Sequence, residues 1–376
     1  MGLSKADIER YSRHLTLDEI GITGQEKLKN SSVLAVGCGG LGSPLLLYLA
    51  AAGVGKIGIV DFDVVDVSNL QRQIIHDEDW LNKSKTESAR HRIHKLNRSC
   101  EVVTYDLQLN SENALQILKE YDVICDGTDN FPTRYLVNDS CVLLNKPYIY
   151  GSILKFEGQA SVFNYKDTSP NYRDLVPEPP PPGLVPSCAE GGVMGILPGI
   201  IGTIQATETI KVLTGIGKPL DGRLLVFNAL EMTFKEMKLK KQSNYKIEKL
   251  IDYKNMCSNS NKEQTPVETI KCKDLHRLIE SQETVLMIDV RTKRERDICL
   301  IEPSLHSCLD DLADQTELDK VEKASQGSKM IILYCKMGGR SEKAARLLEK
   351  NNIKSYSLEG GILQWANEID QTMNKY

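Results

Sequence analysis

The apolar and glycine positions near the start of the chain predict a strand, a tight turn and a helix in succession. Residues 33–36 form a short apolar run, glycines punctuate residues 37–42, and a second apolar run ends at Gly53. This spacing predicts a buried strand and then a helix with Ser43 as its N-cap and Gly53 as its C-terminal stop. The polar and apolar pattern therefore predicts the first strand and the helix of a βαβ unit.

A second predicted strand, residues 57–60, completes that unit and ends on Asp61. In a right-handed βαβ unit the glycine turn lets phosphates approach backbone N–H groups at a helix N-terminus, and a carboxylate after the second strand binds a ribose hydroxyl. The pattern predicts a nucleotide site. The alternative is that the glycines serve only close packing of the helix on the sheet.

Charged residues follow the ends of neighbouring predicted strands. Arg72 lies in a polar block after Asp61, Lys85 opens a helix, and Asp129 follows the strand 122–125. Ligands bind where the strands of an open parallel sheet end, so these three side chains are expected around one nucleotide. Two cations would neutralise phosphate charge and Asp129 would hold Mg²⁺, which indicates phosphate chemistry. The alternative for each residue is an ordinary surface ion pair.

Two other segments leave alternatives open. Residues 6–17 predict a short amphipathic helix with Arg10 and Arg13 on one face, most simply a solvated cationic face. Cys188 lies between a proline-rich loop and the N-terminus of an apolar segment. The helix dipole would favour its thiolate and make it a nucleophile, whereas the simpler interpretation is a small capping residue.

The last hundred or so residues predict a second α/β unit, with strands at 285–288 and 330–334. The second strand ends at Cys335, and a loop leads from it into a helix over residues 342–350. Backbone N–H groups and nearby cations in such a loop favour a thiolate or a persulfide anion. Its Cys-x4-Arg spacing is one residue shorter than the loop of thiol phosphatases and fits sulfur better than phosphate. The residues of this predicted persulfide loop are Cys335, Lys336, Gly338, Gly339 and Arg340.

Composition narrows the class. A chain of 376 residues suits two domains, predicted at 1–240 and 266–376 with a linker over 241–265. The net charge of −4 argues against a broad nucleic-acid surface, and no apolar run is long enough for a membrane span. No signal-peptide pattern is present and the ten cysteines show no paired framework, so we expect a cytosolic protein without direct nucleic-acid or membrane partners.

Together these motifs resemble a known family. Residues 1–240 resemble the ubiquitin-activating-enzyme-like adenylyltransferases, and residues from about 266 resemble a rhodanese domain. The resemblance rests on the glycine turn, the block from Asp61 to Gln73, Lys85, the block from Thr128 to Arg134, the loop around Cys188 and the loop at Cys335. It implies an α/β fold: a Rossmann-like, doubly wound mixed sheet plus a C-terminal rhodanese-like α/β domain.

The fusion in this order is similar to the molybdopterin-synthase adenylyltransferase and sulfurtransferase family, which also activates the ubiquitin-related modifier. The resemblance implies ATP-dependent adenylation of a small ubiquitin-fold sulfur carrier that ends in Gly-Gly, followed by sulfur transfer from a cysteine persulfide to give a thiocarboxylate. It implies service in tRNA wobble-uridine 2-thiolation, molybdenum cofactor biosynthesis or both. A cysteine desulfurase as sulfur donor and a homodimer are expected.

The resemblance also assigns roles residue by residue. Arg13 would reach the triphosphate of the neighbouring subunit, Cys188 would hold the acceptor as a thioester or form a disulfide during transfer, and Cys335 would carry the persulfide. The implied ATP-binding residues are Gly40, Asp61, Ser68, Asn69, Leu70, Gln71, Arg72, Lys85, Asp129 and Asn130.

One departure concerns metal. Members of the family usually hold a structural zinc with two Cys-x-x-Cys pairs, but Asn171 and Asp174 occupy the places of the first pair and no cysteine follows Leu239 until Cys257. A closed zinc site of this type needs four thiolates, so we expect no structural zinc.

Two rival functions remain open from the sequence. A nicotinamide-dependent oxidoreductase fused to a sulfur-handling domain explains the glycine turn and Asp61 but gives Arg72, Lys85 and Asp129 no task. A non-catalytic scaffold that docks a ubiquitin-fold partner would bind without forming AMP.

Overall fold

The computed structural model describes residues 2–180, 191–242, 246–258 and 267–376, without the side chains of Lys254 and Ser258. The chain divides into two compact units, Met1–Ser260 and Asn261–Tyr376. The predicted linker, residues 241–265, spans this division, and its limits stay a prediction.

The first unit is built on eight strands and, in its described part, ten α-helices. The strands are β1 (Ser32–Val36), β2 (Lys56–Val60), β3 (Glu101–Tyr105), β4 (Val123–Asp126), β5 (Tyr148–Leu154), β6 (Glu157–Phe163), β7 (Arg223–Asn228) and β8 (Thr233–Lys238). The helices are α1 (Lys5–Arg10), α2 (Ser12–Leu15), α3 (Gly21–Lys29), α4 (Gly42–Ala52), α5 (Lys85–Leu96), α6 (Ala114–Leu118), α7 (Phe131–Leu144), α8 (Tyr172–Leu175), α9 (Leu197–Thr214) and α10 (Tyr253–Ser258).

These strands form one mixed sheet in the order β3-β2-β1-β4-β5-β6-β7-β8. Strands β1 to β5 are parallel, and β6, β7 and β8 extend the sheet antiparallel. The central strand β1 is apolar and buried over residues 33–36, as expected for a strand covered by helices on both faces. The strand order reverses between β1 and β4, and a crevice forms where an open α/β sheet has this switch point. The predicted Rossmann-like, doubly wound mixed sheet is confirmed.

Two local predictions were wrong. Ser43 is not the N-cap of α4, because the helix begins at Gly42 and the Ser43 hydroxyl donates a hydrogen bond to the Gly39 carbonyl, 2.6 Å away. The predicted helix over 6–17 is broken at Tyr11, whose buried hydroxyl accepts a hydrogen bond from Asn97. The packing of Tyr11 outweighs the helical periodicity there, and α1 and α2 form separately.

The second unit is a parallel sheet of five strands covered by helices. Its strands are β9 (Thr269–Ile270), β10 (Val285–Asp289), β11 (Leu305–His306), β12 (Met330–Tyr334) and β13 (Tyr356–Leu358). Its helices are α11 (Cys272–Glu280), α12 (Lys293–Ile298), α13 (Gln315–Ser325), α14 (Gly339–Lys350) and α15 (Gly361–Glu368). The strand order is β11-β10-β12-β13-β9, with β10 and β12 parallel at its centre. The predicted second α/β domain is confirmed.

Among the described residues, no helix has the length and apolar character needed to cross a bilayer.

Candidate functional site

Two glycine turns meet at the switch point of the first sheet. Gly37 follows β1 with φ +92°, and a Cβ there would lie 3.0 Å from the carbonyl oxygen of Gly127, which follows β4. A Cβ on Gly42 would lie 2.3 Å from the Gly37 oxygen. Only glycine permits this approach of the two turns, and it brings the residues after β4 against the turn after β1.

A cavity of about 300 Å³ lies above these turns. Seven of the ten predicted ATP-binding residues line it: Gly40, Asp61, Asn69, Arg72, Lys85, Asp129 and Asn130. The stem of Arg72 packs against Gly40, at 3.6 Å from the position that a Cβ would take. The structure therefore gathers Arg72, Lys85 and Asp129 at one cavity, where their charges can act on one phosphate chain.

The other three predicted residues, Ser68, Leu70 and Gln71, are not among those that line the cavity. The Ser68 hydroxyl donates to Asp66, 2.6 Å away, in a capping box that starts a short 3₁₀ turn. Its carbonyl accepts from Arg72, 3.1 Å away. Ser68 contributes to the shape of the loop that presents Arg72.

Lys85 is already paired. Its ammonium lies 2.9 Å from the carboxylate of Asp63, and the Lys85 side chain is buried while that of Asp63 is half exposed. Asp63 lines the same cavity, although the sequence pattern did not predict a role for it. Asp63 therefore fixes the position of the Lys85 ammonium at this cavity.

Asp61 is oriented by the glycine turn. Its Oδ2 accepts a hydrogen bond from the backbone N–H of Cys38 at 3.0 Å, and its Oδ1 accepts from the N–H of Asp63 at 3.0 Å. The carboxylate is thus held at the end of β2, where a ribose would lie in a fold of this type.

His76 is a residue of this region that the sequence argument missed. Its Nε2 donates to the carbonyl of Cys38 at 3.1 Å, and its Nδ1 accepts from the hydroxyl of Ser88 at 2.9 Å. Since a carbonyl can only accept, this arrangement fits the neutral ring. Burial lowers the pKa of His76 to about 4, with a further contribution from the charge of Lys85. The neutral imidazole ties the glycine turn to α5, which carries Lys85.

A buried network supports the loop that carries Asp129. Asp126 accepts hydrogen bonds from Thr128 at 2.6 Å and from the Tyr148 hydroxyl at 2.5 Å, and burial raises its pKa. The buried guanidinium of Arg134 donates to the Thr128 carbonyl at 3.1 Å. Asp129 follows this anchored turn and is exposed, which leaves its carboxylate available to a cation.

Two predicted site residues are not seen at the cavity of this chain, for different reasons. Arg13 is exposed on α2 and is not among the residues that line the cavity of this chain. Cys188 lies outside the described residues, so the choice between nucleophile and cap stays open.

The places of the first zinc cysteine pair hold a hydrogen-bonded clasp. Asn171 caps α8, and Asp174 Oδ2 accepts from the Asn171 N–H at 2.7 Å. Asp174 Oδ1 accepts from the N–H of Gln242, beyond β8, at 2.7 Å. An amide and one engaged carboxylate do not fit a closed site of four thiolates. Within the described part of the chain no cluster of three metal-ligating side chains occurs.

Cys335 lies at the base of the loop between β12 and α14 and is 2% exposed. Its Sγ accepts from the N–H of Gly338 at 3.1 Å and lies 3.6 Å from the hydroxyl of Ser341. Gly338 has φ +108°, a left-handed conformation that turns its N–H toward the sulfur. Backbone and hydroxyl donors are therefore directed at the sulfur, which suits an anionic sulfur.

Arg340 closes the same loop but is not free. It donates two hydrogen bonds to Glu295, at 2.7 and 2.6 Å. Burial raises the pKa of Glu295, but the hydrogen bonds and charge of Arg340 outweigh it and lower that pKa to about 2. The pair is therefore ionised at neutral pH.

Comparisons with known proteins match both units of the chain to known families. The ThiF family matches residues 11–248, and the rhodanese-like domain matches residues 271–368. The chain is 46% identical to the probable adenylyltransferase/sulfurtransferase MoeZ of Mycobacterium tuberculosis, over 100% of this chain and 96% of the relative. It is 39% identical to the adenylyltransferase and sulfurtransferase MOCS3 of Xenopus laevis, over 100% of this chain and 89% of the relative.

A solved structure shows the same fold for the first unit. The crystal structure of E. coli MccB with ATP matches with a TM-score of 0.56 and 23% identity, over 63% of this chain and 73% of that chain. At this identity the likeness speaks for the fold alone.

Proposed function

Since this chain belongs to the ThiF family, carries a rhodanese-like domain and is an adenylyltransferase and sulfurtransferase like its relatives, we propose a two-step activation of a protein tail. ATP adenylates the C-terminal glycine of a small ubiquitin-fold sulfur carrier, and sulfur from a cysteine persulfide then gives a thiocarboxylate. The relatives are named for transfer reactions, which favours this reaction over the nicotinamide oxidoreductase and over the docking scaffold.

The observation that carries the adenylation step is the meeting of Arg72, Lys85 and Asp129 at one cavity. The carboxylate of the carrier attacks the α-phosphate of ATP, an acyl-adenylate forms and pyrophosphate leaves. Arg72 and Lys85 stabilise the charge that develops on the departing pyrophosphate. Arg13 of a second copy completes the site in a homodimer.

Asp129 fits a Mg²⁺ ion bound together with the nucleotide. Mg²⁺ is held by one or two carboxylates with phosphate oxygens and water, and Asp129 presents an exposed carboxylate at the edge of the cavity. The ion would neutralise phosphate charge. Asn130 Oδ1 accepts a hydrogen bond from the Thr133 N–H at 3.0 Å and so caps α7, which helps to keep the neighbouring Asp129 in place.

The sulfur step uses Cys335. The terminal sulfur of its persulfide bonds to the acyl carbon and AMP leaves. A thiol then attacks the inner sulfur, so that the S–S bond breaks, the thiocarboxylate departs and a protein disulfide remains. Cys188 is the proposed thiol, or alternatively the residue that first holds the acceptor as a thioester. No general base is required, because the incoming persulfide is already an anion.

An apolar surface supports a protein rather than a small molecule as acceptor. Large side chains are exposed on the edge strand β8 and its neighbouring loops: Phe156, Leu230, Met232, Phe234 and Met237. Phe234 and Met237 are three residues apart on β8 and therefore lie on opposite faces of the sheet. These side chains line the exposed edge of the sheet, where another protein can pack. We assign the ubiquitin-fold carrier to this surface.

Three further assignments belong to the proposal. A cysteine desulfurase in the cytosol supplies sulfur to Cys335. The thiocarboxylate serves tRNA wobble-uridine 2-thiolation, molybdenum cofactor biosynthesis or both. The protein needs no structural zinc, since the clasp at Asn171 and Asp174 joins the segments that a metal would join.

The test separates the two steps. The protein is mixed with ATP, a sulfur donor and candidate carriers ending in Gly-Gly, and the carriers are weighed by mass spectrometry. Cys335→Ala should abolish the thiocarboxylate but leave carrier-dependent exchange of pyrophosphate into ATP intact. Loss of both activities, with the fold retained, would contradict the division of labour. Cys272→Ala, a buried cysteine outside the loop, is the matched control.

A further inference from the structure

Tyr376 lies against the loop that carries Cys335, although nothing in the sulfur step as described uses it. Its hydroxyl accepts a hydrogen bond from Arg291 at 2.8 Å and donates one to Glu295 at 3.0 Å. The ammonium of Lys336 lies 4.6 Å from the centre of its ring. Tyr376 thus contacts Lys336, which belongs to the persulfide loop, and also Glu295, which pairs with Arg340 of the same loop.

The hydroxyl of Tyr376 is held in place by a buried arginine. Arg291 is fully buried and donates to Asp289 at 2.9 and 2.7 Å, so its guanidinium cannot follow a moving phenol. The Tyr376 hydroxyl donates to Oε1 of Glu295, and the same oxygen accepts a hydrogen bond from the Arg340 guanidinium at 2.6 Å. The hydroxyl therefore restrains the carboxylate that holds Arg340 at the end of the loop.

The ring end of Tyr376 acts on the other cation. Lys336 follows Cys335 directly, and its long side chain has several rotamers of similar energy when unrestrained. A cation placed over an aromatic face is held electrostatically. The ring favours the rotamers of Lys336 that keep its charge beside the loop.

We propose that Tyr376 is a positioning residue for sulfur transfer, which holds Lys336 through its ring and the Glu295–Arg340 pair through its hydroxyl, so that both cations flank the sulfur of Cys335. The proposal rests on the proposed role of Cys335 as the sulfur carrier. Tyr376 does not touch the reacting sulfur; it acts through Lys336 and Glu295.

The experiment uses the full chain with thiosulfate as sulfur donor and cyanide as acceptor, and follows thiocyanate. Tyr376→Phe keeps the ring and removes one hydroxyl, so kcat/KM should fall about three- to tenfold, the range of one hydrogen bond. Tyr376→Ala removes both supports and should lower kcat/KM further, with Phe restoring part of the loss. Circular dichroism and thermal unfolding are used to check that each variant is folded.

A double-mutant cycle separates positioning from a general effect on structure. If the ring acts through Lys336, then Tyr376→Ala combined with Lys336→Met should be slowed by clearly less than the product of the two single effects. Tyr356→Phe is the matched control: its ring lies 5.4 Å from the Lys354 ammonium and its hydroxyl bonds Glu268, away from the loop. This control should retain wild-type kinetics.

The outcomes distinguish the two claims. If Cys335→Ala still transfers sulfur, the proposed role of Cys335 fails. If Cys335→Ala is inactive but both Tyr376 variants match the wild type, only the role of Tyr376 fails. Single effects of Tyr376→Ala and Lys336→Met that multiply in the double variant would also overturn it.

Discussion

Lys85 and Asp63 form an ion pair inside the nucleotide cavity, with 2.9 Å between the ammonium nitrogen and the carboxylate oxygen. The pair holds the ammonium at the end of β2 in the absence of phosphate. Lys85 is 5% exposed, so under the proposed function its charge would act on a bound phosphate with little screening by water. This placement favours a role in the chemical step over a role in attracting ATP from solution.

We therefore expect Lys85→Met to lower the rate of carrier adenylation by about 10²- to 10³-fold, the cost of removing one group that stabilises charge in a transition state. The measurement is carrier-dependent pyrophosphate exchange at saturating ATP. Lys83→Met is the control, because Lys83 is exposed and donates to the Asp79 carbonyl instead. A loss smaller than about tenfold would show that Lys85 does not act on the departing pyrophosphate.

The proposed action of Arg13 across a dimer gives a complementation test. Arg13→Ala and Lys85→Met homodimers should each be inactive, because every site lacks one of the two cations. A dimer of one copy of each has one complete site, so re-mixed subunits should recover about a quarter of wild-type activity. If mixing restores nothing although heterodimers form, Arg13 acts within its own chain or not at all.

The sequence located the nucleotide cavity because one rule of topology sufficed. Parallel strands end at one edge of the sheet, so Arg72, Lys85 and Asp129 could be expected together, and the structure places them together; their catalytic roles stay predictions. The rule also places Asp63 at this edge of the sheet but does not predict its ion pair with Lys85, and it does not reach His76. Both act through partners that are distant in sequence, which periodicity along the chain does not reveal.

Local capping was predicted less well than topology. Serine before a helix is the usual signal of an N-cap, but at Ser43 the helix begins earlier, because the Gly39 carbonyl accepts from the hydroxyl. The helical pattern over residues 6–17 placed Tyr11 on the apolar side but gave no sign that the helix would break there, where the Tyr11 hydroxyl accepts from Asn97. In both places a tertiary or backbone contact decided between states that differ little in intrinsic propensity.

The clasp at Asp174 predicts stability without metal. Asp174→Ala leaves the N–H groups of Asn171 and Gln242 without their acceptor and should lower the free energy of unfolding of the first unit by about 2 kcal/mol. Asp167→Ala, at an exposed position, should change it little. Thermal unfolding should not respond to a strong zinc chelator. Stoichiometric zinc in the purified protein would contradict the proposal.

His76 predicts a loss of stability in mild acid. Its pKa is about 4 in the folded protein and near the ordinary 6.5 when unfolded, so between these values the unfolded chain binds a proton that the folded chain does not. Above pH 6.5 the ring is neutral in both states, and the free energy of unfolding does not depend on its titration. As the pH drops, the free energy of unfolding falls by about 2 kcal/mol between pH 7 and pH 5.

Replacing His76 by Gln should remove that part of the pH dependence, because glutamine does not titrate in this range. The variant starts from a lower stability at pH 7, since its amide cannot reproduce both contacts to Cys38 and Ser88. The deciding measurement is the free energy of unfolding from urea titrations at pH 7 and at pH 5. The difference between the two values should be smaller in His76→Gln than in the wild type. It should remain in His94→Gln, since His94 is exposed on α5. An equal fall in the wild type and in His76→Gln would mean that other groups cause the acid sensitivity.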